Sequence, residues 1–244
     1  MSNVSSSEIR REFAKSKVGL IGIGILVSLI ILSVIAAVTI PIDTFKQWNN
    51  PGNWISYPKS SAPIWVNYFM TQKIPEHLIL DNPSTITKDD VISLTSHQFG
   101  VQYHYDDFPS DFIYEFSVEY SGSQLLQISV IRPDQSQILL LSRSLPHSDT
   151  NIIHHERIFS TDNTIKKNIQ IHFSEMGFYN QSTSSEDMIF ANKDGQVLKG
   201  DYLFLLNIYG VEEKVKIIDS KLILGGKAFG IMGTDALRRD LAVG

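Results

Sequence analysis

The chain has 244 residues, of which 43% are hydrophobic and 19% are charged, a composition that excludes wholesale disorder. Its 21 basic and 26 acidic side chains give a formal net charge of -5. Because nucleic-acid-binding domains usually carry a clustered positive charge, we expect no nucleic-acid partner. Cysteine is absent, which excludes disulfides, thiolate catalysis and zinc sites built on cysteine.

The first element in the chain is a long apolar segment. Residues 18–42 read VGLIGIGILVSLIILSVIAAVTIPI and contain no charged side chain. A bilayer core of about 30 Å requires about 20 apolar residues in a helix, so the segment predicts a transmembrane helix over 18–42. A cleaved signal peptide is the alternative. Its apolar region spans only about 7–15 residues, and Pro41-Ile42-Asp43 makes a poor cleavage site.

The residues before this segment predict its direction. Basic side chains outnumber acidic ones in residues 1–17, and the basic ones are Arg10, Arg11, Lys15 and Lys17. The positive-inside bias therefore places residues 1–17 in the cytoplasm, as a basic membrane anchor, and the bulk of the chain outside the cell membrane. Membrane lipid is accordingly an expected partner.

Residues 43–110 are rich in tryptophan and proline. Trp48, Trp54 and Trp65 all fall in this stretch, among several prolines. Prolines at this density favour an extended strap over a helix. The tryptophans are interpreted either as anchors at the lipid headgroups or as caps on the core of the following domain. The stretch Tyr103–Asp107 is expected to be a polar loop before the first strand.

A period of two begins near Phe112 and predicts a β-sandwich over residues 111–225. The predicted strands are Phe112–Tyr120, Leu125–Ile131, Ile138–Leu145, Ile152–Phe159, Ile165–Phe173, Tyr202–Tyr209 and Lys214–Leu224. The fold class is therefore mainly β, with a single N-terminal transmembrane helix, an extracytoplasmic β-sandwich and a short C-terminal interfacial helix.

Candidate catalytic and metal-binding residues are few. In the run His154-His155-Glu156, adjacent strand residues point to opposite faces, so only His154 and Glu156 share one. A structural zinc ion is bound by four ligands, and this pair supplies only two, which favours a surface pair over a metal site. No P-loop, G-x-S-x-G or H-E-x-x-H motif occurs. We expect a protein that is not an enzyme and that has no cofactor and no metal.

Two weaker signals lie elsewhere. Asn180-Gln181-Ser182 is an N-glycosylation sequon, a triplet that also arises often by chance. Within the apolar segment, Gly24 with Ser28 and Ser33 with Ala37 are pairs of small residues that let another helix approach closely.

The last segment, residues 226–244, changes character again. Thr234 or Asp235 is placed to cap a helix that begins at Ala236. Leu237 and Leu241 would share one face of that helix. The pattern predicts a short helix lying in the membrane interface.

The same segment resembles a known signature. Gly233, Thr234, Asp235, Leu237, Arg239 and Asp240 resemble the G-T-D-x-x-G-R-D motif of peptide/nickel-type ABC transporter permeases, although Arg238 stands where the family usually has Gly. The basic Arg11-Glu12-Phe13 and the apolar helix are similar to the N-terminal module of that family. Residues 54–65 resemble variants with an enlarged outside loop.

This resemblance implies the N-terminal part of an importer's permease subunit, with the first spanning helix and an outside β domain near the pathway entrance. It implies three partners: a partner permease subunit, cytoplasmic ATPase subunits that dock through other regions, and an extracytoplasmic solute-binding protein. In the family, residues 226–244 would precede a second transmembrane helix, so we expect a split or truncated permease. The alternative is a stand-alone membrane-tethered β-sandwich that acts as a sensor or adhesion module. An extracytoplasmic enzyme or metal-binding domain is a third interpretation.

Overall fold

The computed structural model describes residues 16–39, 48–89, 92–175, 184–211 and 215–243. The chain divides into two compact units, Met1–Asn50 with Val243–Gly244, and Pro51–Ala242. We call the second the β unit. Arg10, Arg11, Lys15 and the sequon at Asn180 lie outside the described residues.

The first unit contains helix α1, Lys17–Thr39. The Ser16 hydroxyl accepts a hydrogen bond from the Gly19 amide (3.2 Å) and so caps its first turn. The stretch Lys17–Val38 is long and apolar enough to cross a membrane, and its large apolar side chains are exposed. The apolar helix is thus confirmed over its described part. Because a signal sequence near the N-terminus has the same features, membrane spanning stays a prediction.

The β unit consists of two antiparallel sheets packed as a sandwich, which confirms the mainly β fold class. Strand order is β1-β9-β4-β7 in the four-stranded sheet and β2-β3-β8-β5-β6 in the five-stranded sheet. The strands are β1 Leu78–Leu80, β2 Ser84–Asp89, β3 Ile92–Tyr103, β4 Phe112–Gly122, β5 Leu125–Ile131, β6 Gln137–Ser144, β7 Ser148–Phe159, β8 Gly200–Val211 and β9 Lys216–Leu224.

The core lies between the sheets and follows the alternation of the strands. On β4, the side chains of Phe112, Tyr114 and Phe116 belong to the buried cluster, whereas Glu115 and Ser117 lie on the outer face of the four-stranded sheet. This alternation is what one buried and one outward face of a sheet require.

One predicted strand is wrong. Residues expected to form the strand Ile165–Phe173 lie in helix α2, Asn163–Glu175. Its buried residues Ile165, Ile169 and Phe173 are four apart, which places them on one helical face, and the Asp162 carboxylate accepts a hydrogen bond from the Thr164 amide (2.8 Å) at the helix start. A short helix α3, Ser185–Phe190, follows with Ser184 as its N-cap.

The predicted strap over 43–110 also requires correction, because β1, β2 and β3 lie inside it. Strand β3 pairs along its whole length with β8, so the sandwich takes in strands that precede residue 111. Tyr103, expected in a loop, is the last residue of β3. It is buried, and its hydroxyl donates to the Asp107 carbonyl.

Candidate functional site: the signature turn and the polar cleft

The segment before β1 and the segment after β9 lie against each other. We call them together the clasp: Pro51–His77 and Gly226–Ala242. The Ala62 amide donates to the Lys227 carbonyl (2.8 Å), and the Phe229 amide donates back to the Ala62 carbonyl (2.8 Å). The Ile64 amide donates to the Gly230 carbonyl (2.9 Å). The chain therefore approaches and leaves the sandwich at one place.

Further contacts close the clasp at its other end. The His77 amide donates to the Ala228 carbonyl (2.9 Å), and the His77 ring meets the Phe229 ring edge-on at 5.4 Å. Burial lowers the pKa of the His77 imidazole to about 4, although the nearby Asp111 carboxylate opposes this shift. A side chain at Gly226 would place its Cβ 2.1 Å from the His77 backbone nitrogen, so only glycine fits there.

Gly233 opens the part of the clasp that carries the permease-like motif. Its φ is +76°, and a Cβ there would stand 2.3 Å from the Ser61 carbonyl oxygen. Both the backbone conformation and the close approach of Ser61 require glycine at this position.

Thr234 is 4% exposed and joins the two halves of the clasp. Its hydroxyl donates to the Pro58 carbonyl (2.7 Å) and accepts from the Ser61 amide (3.0 Å). The Ser61 hydroxyl lies 2.8 Å from the same oxygen. A buried hydroxyl with this many partners fixes its local geometry, because losing it would leave buried backbone groups unpaired.

Asp235 and Arg239 close a tight turn. The Asp235 carboxylate accepts hydrogen bonds from the backbone amides of Leu237 (2.8 Å) and Arg239 (2.9 Å) and from the Arg239 side chain (2.7 Å). Burial raises the pKa of the Asp235 carboxyl, but the hydrogen bonds from Arg239 outweigh it and hold the pKa below its usual value. Thr234 and Asp240 form an antiparallel bridge beyond the turn.

The predicted C-terminal interfacial helix is wrong. The described residues 226–243 form turns and isolated bridges instead of a helix. The Asp235 carboxylate bonds amides inside a turn, and Arg238 has φ +68°, which ends any right-handed helical path. Leu237 and Leu241 consequently do not share a helical face.

Arg238 links this turn to the rest of the β unit. Its guanidinium donates to the Tyr57 carbonyl (2.6 Å) and to the Asp111 carboxylate (3.0 Å). Left-handed backbone costs a non-glycine residue about 1–2 kcal/mol, and these charge-assisted hydrogen bonds offset that cost.

The predicted membrane anchors do not share one environment. Trp54 is only 7% exposed and packs on Tyr57 (5.5 Å between ring centroids), so its ring cannot be the lipid-facing anchor predicted for it. Trp54 is not among the side chains of the core cluster between the sheets either, so the other interpretation, a cap on the domain core, stays a prediction. Trp65 is half exposed. Trp48 belongs to the first unit, and Lys17 is the first residue of α1.

His154 and Glu156 share a face of strand β7, as predicted. The His154 Nε2 and Glu156 Oε2 atoms lie 3.3 Å apart. Arg143 of β6 forms an ion pair with Glu156, which ties the edges of the two sheets together. His155 points the other way, and its Nδ1 lies 2.7 Å from the Ser117 hydroxyl. Among the residues that the structure describes, no group of three His, Asp or Glu side chains is placed to hold a metal ion.

His155 and Ser117 line an open cleft of about 520 Å³ on the outer face of the four-stranded sheet. Ser117 stands opposite Asp219 on β9, and Glu115 pairs with Arg157 at 2.8 Å. Lys221 also lines the cleft, which therefore presents charges of both signs and a hydroxyl. Sequence reasoning missed this set, although its β4 and β7 members occupy alternate positions of predicted strands.

No protein-family model and no curated protein matches the chain. Among solved structures, it is similar to infectious bursal disease virus, Gx strain, at 9% identity and TM-score 0.30, over 63% of this chain and 32% of that one. Dimeric latent PorU from Porphyromonas gingivalis matches at 8% identity and TM-score 0.32, over 70% of this chain and 14% of PorU.

A third similar structure is TmCBM61 in complex with beta-1,4-galactotriose, at 8% identity and TM-score 0.26, over 65% of this chain and 90% of that one. The chain thus spans about a third or less of the first two proteins. TM-scores this low carry no argument, and the β-sandwich rests on the two sheets themselves.

Proposed function

We propose that this chain provides the first spanning helix and the outside β domain of a permease subunit in a peptide-type ABC importer. The observation that carries the proposal is the signature turn. Gly233 has no room for a side chain, Thr234 joins the two clasp segments, and Asp235 and Arg239 close the turn. Each of these residue types matches the motif that the sequence resembles.

Arg238 supports the same proposal through its backbone. Its φ of +68° lies in the left-handed region that glycine adopts without penalty. The permease motif has glycine at this position. The turn therefore has the conformation that the motif residue would suit, even though the residue itself differs.

The closure of the clasp also supports the proposal. A domain is readily inserted into a loop between two membrane spans when it begins and ends close together. In the β unit, Ser61 before the sandwich and Thr234 after it are joined by hydrogen bonds. In this proposal the basic residues 1–17 face the cytoplasm, α1 crosses the cell membrane and the β unit lies outside, near the pathway entrance.

Co-purification tests this assignment. The full chain, tagged and expressed together with its genomic neighbours, is expected to be recovered in mild detergent with an ATPase, a partner permease subunit and a solute-binding protein. Gly233→Ala should reduce this recovery, whereas Gly195→Ala should not, because Gly195 has φ +75° but open space around it. Recovery of the chain alone would contradict the permease assignment.

A stand-alone, membrane-tethered binding module is the second candidate. The observation that favours it is the polar cleft, whose Glu115, Arg157, Asp219 and Lys221 side chains suit a small polar or zwitterionic ligand. This candidate predicts a chain that purifies alone. It also predicts that Ser117→Ala with Asp219→Asn abolishes the binding of such a ligand without changing the melting temperature.

A further inference from the structure

Large apolar side chains are exposed together on the clasp. Trp65, Tyr68, Phe69, Ile231 and Met232 are between 50% and 84% exposed. We call them the apolar patch. Residues this large and this exposed carry a free-energy cost in water, and when they cluster they mark a surface that contacts something else.

The patch is continuous although it comes from two segments. Trp65 and Tyr68 lie three residues apart in a 3-10 turn, Ile64–Tyr68, so they lie on the same side of it. The Trp65 ring meets the Phe69 ring edge-on at 6.4 Å. The Trp65 indole N–H donates to the Ile231 carbonyl (2.9 Å), which brings the 230–232 turn alongside.

The two segments that carry the patch are uncharged in sequence, although the Lys73 ammonium donates to the Asn67 carbonyl at the edge of the 3-10 turn. Residues 60–72 and 228–234 contain no Asp, Glu, Lys, Arg or His. The Trp65 indole already has a partner within the β unit, so moving the ring out of water leaves no unpaired donor there. The cost that usually opposes burying a polar group in hydrocarbon is therefore small at this residue.

We propose that the apolar patch inserts into the interface between lipid headgroups and hydrocarbon of the membrane that holds α1. Tryptophan and tyrosine concentrate at that level of a bilayer. Trp65, Tyr68 and Phe69 also lie on the segment that follows the apolar helix in the chain, so a membrane that holds α1 is tethered to the patch at high effective concentration. The proposal rests on the membrane anchoring of α1 and does not depend on the permease assignment.

The chain contains no cysteine, so single spin labels test the proposal cleanly. Phe69→Cys and Met232→Cys report on the patch. Thr150→Cys, exposed on β7, is the control in water, and Ile25→Cys, exposed on α1, is the control in lipid. Each full-length variant is labelled with a nitroxide in liposomes of phosphatidylethanolamine and phosphatidylglycerol. Collision rates are then measured with oxygen, which concentrates in hydrocarbon, and with a water-soluble nickel chelate.

The patch labels are expected to show a severalfold higher ratio of oxygen to nickel collisions than Thr150→Cys, and a lower ratio than Ile25→Cys. A ratio equal to that of Thr150→Cys would overturn the proposal. Protection from both reagents would overturn it too, because it would mean that protein, such as a second copy or a partner subunit, covers the patch. A water-like ratio at Ile25→Cys would instead refute the anchoring of α1, and with it both proposals.

Discussion

The sandwich and the clasp are stabilised in different ways. Between the sheets, side chains such as Phe112, Tyr114 and Leu222 are fully buried, and each contributes roughly 1.5–3 kcal/mol through burial. The clasp relies on backbone hydrogen bonds, on a few aromatic contacts and on a few polar side chains, Thr234 and Arg238 above all. The sandwich therefore distributes its stability over many positions, whereas the clasp concentrates it in a few.

Gly233→Ala should destabilise the protein more than the other substitutions, and the loss of structure should be in the clasp. The left-handed backbone alone costs about 1–2 kcal/mol with an alanine, and the clash with the Ser61 carbonyl adds an overpacking cost of about 1–3 kcal/mol. Hydrogen exchange of the Ala62, Phe229 and Thr234 amides should accelerate strongly, while amides of β3 and β8 keep their protection.

Gly195→Ala is the matched control, because it has the same backbone conformation and no atom within 4 Å of the new Cβ. Gly195→Ala should lower the unfolding free energy only by the cost of placing an alanine in the left-handed backbone conformation. Equal destabilisation by the two variants would show that the close approach of Ser61 does not matter. Loss of protection throughout β3 and β8 would show that clasp and sandwich unfold as one.

Acid should loosen the clasp through His77. Its pKa is lowered by burial from 6.5 to about 4, so the unfolded chain takes up a proton at this residue before the folded chain does. The stability gained from the neutral imidazole is complete above pH 6.5 and is lost as pH falls from 6.5 towards 4. The full shift corresponds to about 3 kcal/mol.

Thermal melting between pH 7 and 4 measures this effect. In His77→Gln the fall in melting temperature over that range should be smaller than in the natural chain. In His147→Gln, at an exposed histidine, it should be unchanged. An unaltered pH profile in His77→Gln would assign the acid sensitivity to other groups.

Thr234→Val keeps the shape of the side chain and removes its hydroxyl. The Ser61 amide and the Pro58 carbonyl then lose a buried partner, which costs about 1–3 kcal/mol. Denaturant unfolding and the exchange of the Ser61 amide should both report it. Thr150→Val, at an exposed position, should change neither the unfolding free energy nor this exchange rate. If Thr234→Val also changed neither, the Thr234 hydroxyl would not contribute to the stability of the clasp.

The alternation of the sequence predicts most of the sandwich, and its failures have physical causes. The spacing of Ile165, Ile169 and Phe173 is helical, whereas the apolar content of the run favours a strand. Strand β3 has no clear strand pattern in sequence because its first half is largely polar. There, Thr95 donates to the Val215 carbonyl and His97 pairs with Ser220 of β9, contacts between the sheets that no local pattern reveals.

The motif residues of the clasp could be found from sequence, but their conformation could not. A Thr-Asp pair before Ala236 suits a helix cap and a tight turn equally well. The choice is made by residues far away in the chain, since Tyr57 and Asp111 hold the Arg238 guanidinium and Ser61 leaves room only for a glycine at 233. Short-range propensity does not contain that information.

The smallest change in unfolding free energy is expected when Arg238 is substituted. Arg238→Gly removes the hydrogen bonds to Tyr57 and Asp111 but also relieves the left-handed strain. Relief of the strain is worth about 1–2 kcal/mol and opposes the loss of hydrogen bonds from a charged donor, worth about 1.5–3 kcal/mol, so the net destabilisation should be small.

Arg238→Ala removes the same hydrogen bonds and keeps the strain, so it should be less stable than Arg238→Gly by about 1 kcal/mol. Denaturant unfolding of the two variants side by side isolates the backbone contribution, because both lack the guanidinium. If alanine proves as stable as glycine, then the positive φ at 238 imposes no strain. The correspondence between this turn and the glycine of the permease motif then loses its physical basis, even if the clasp itself remains intact.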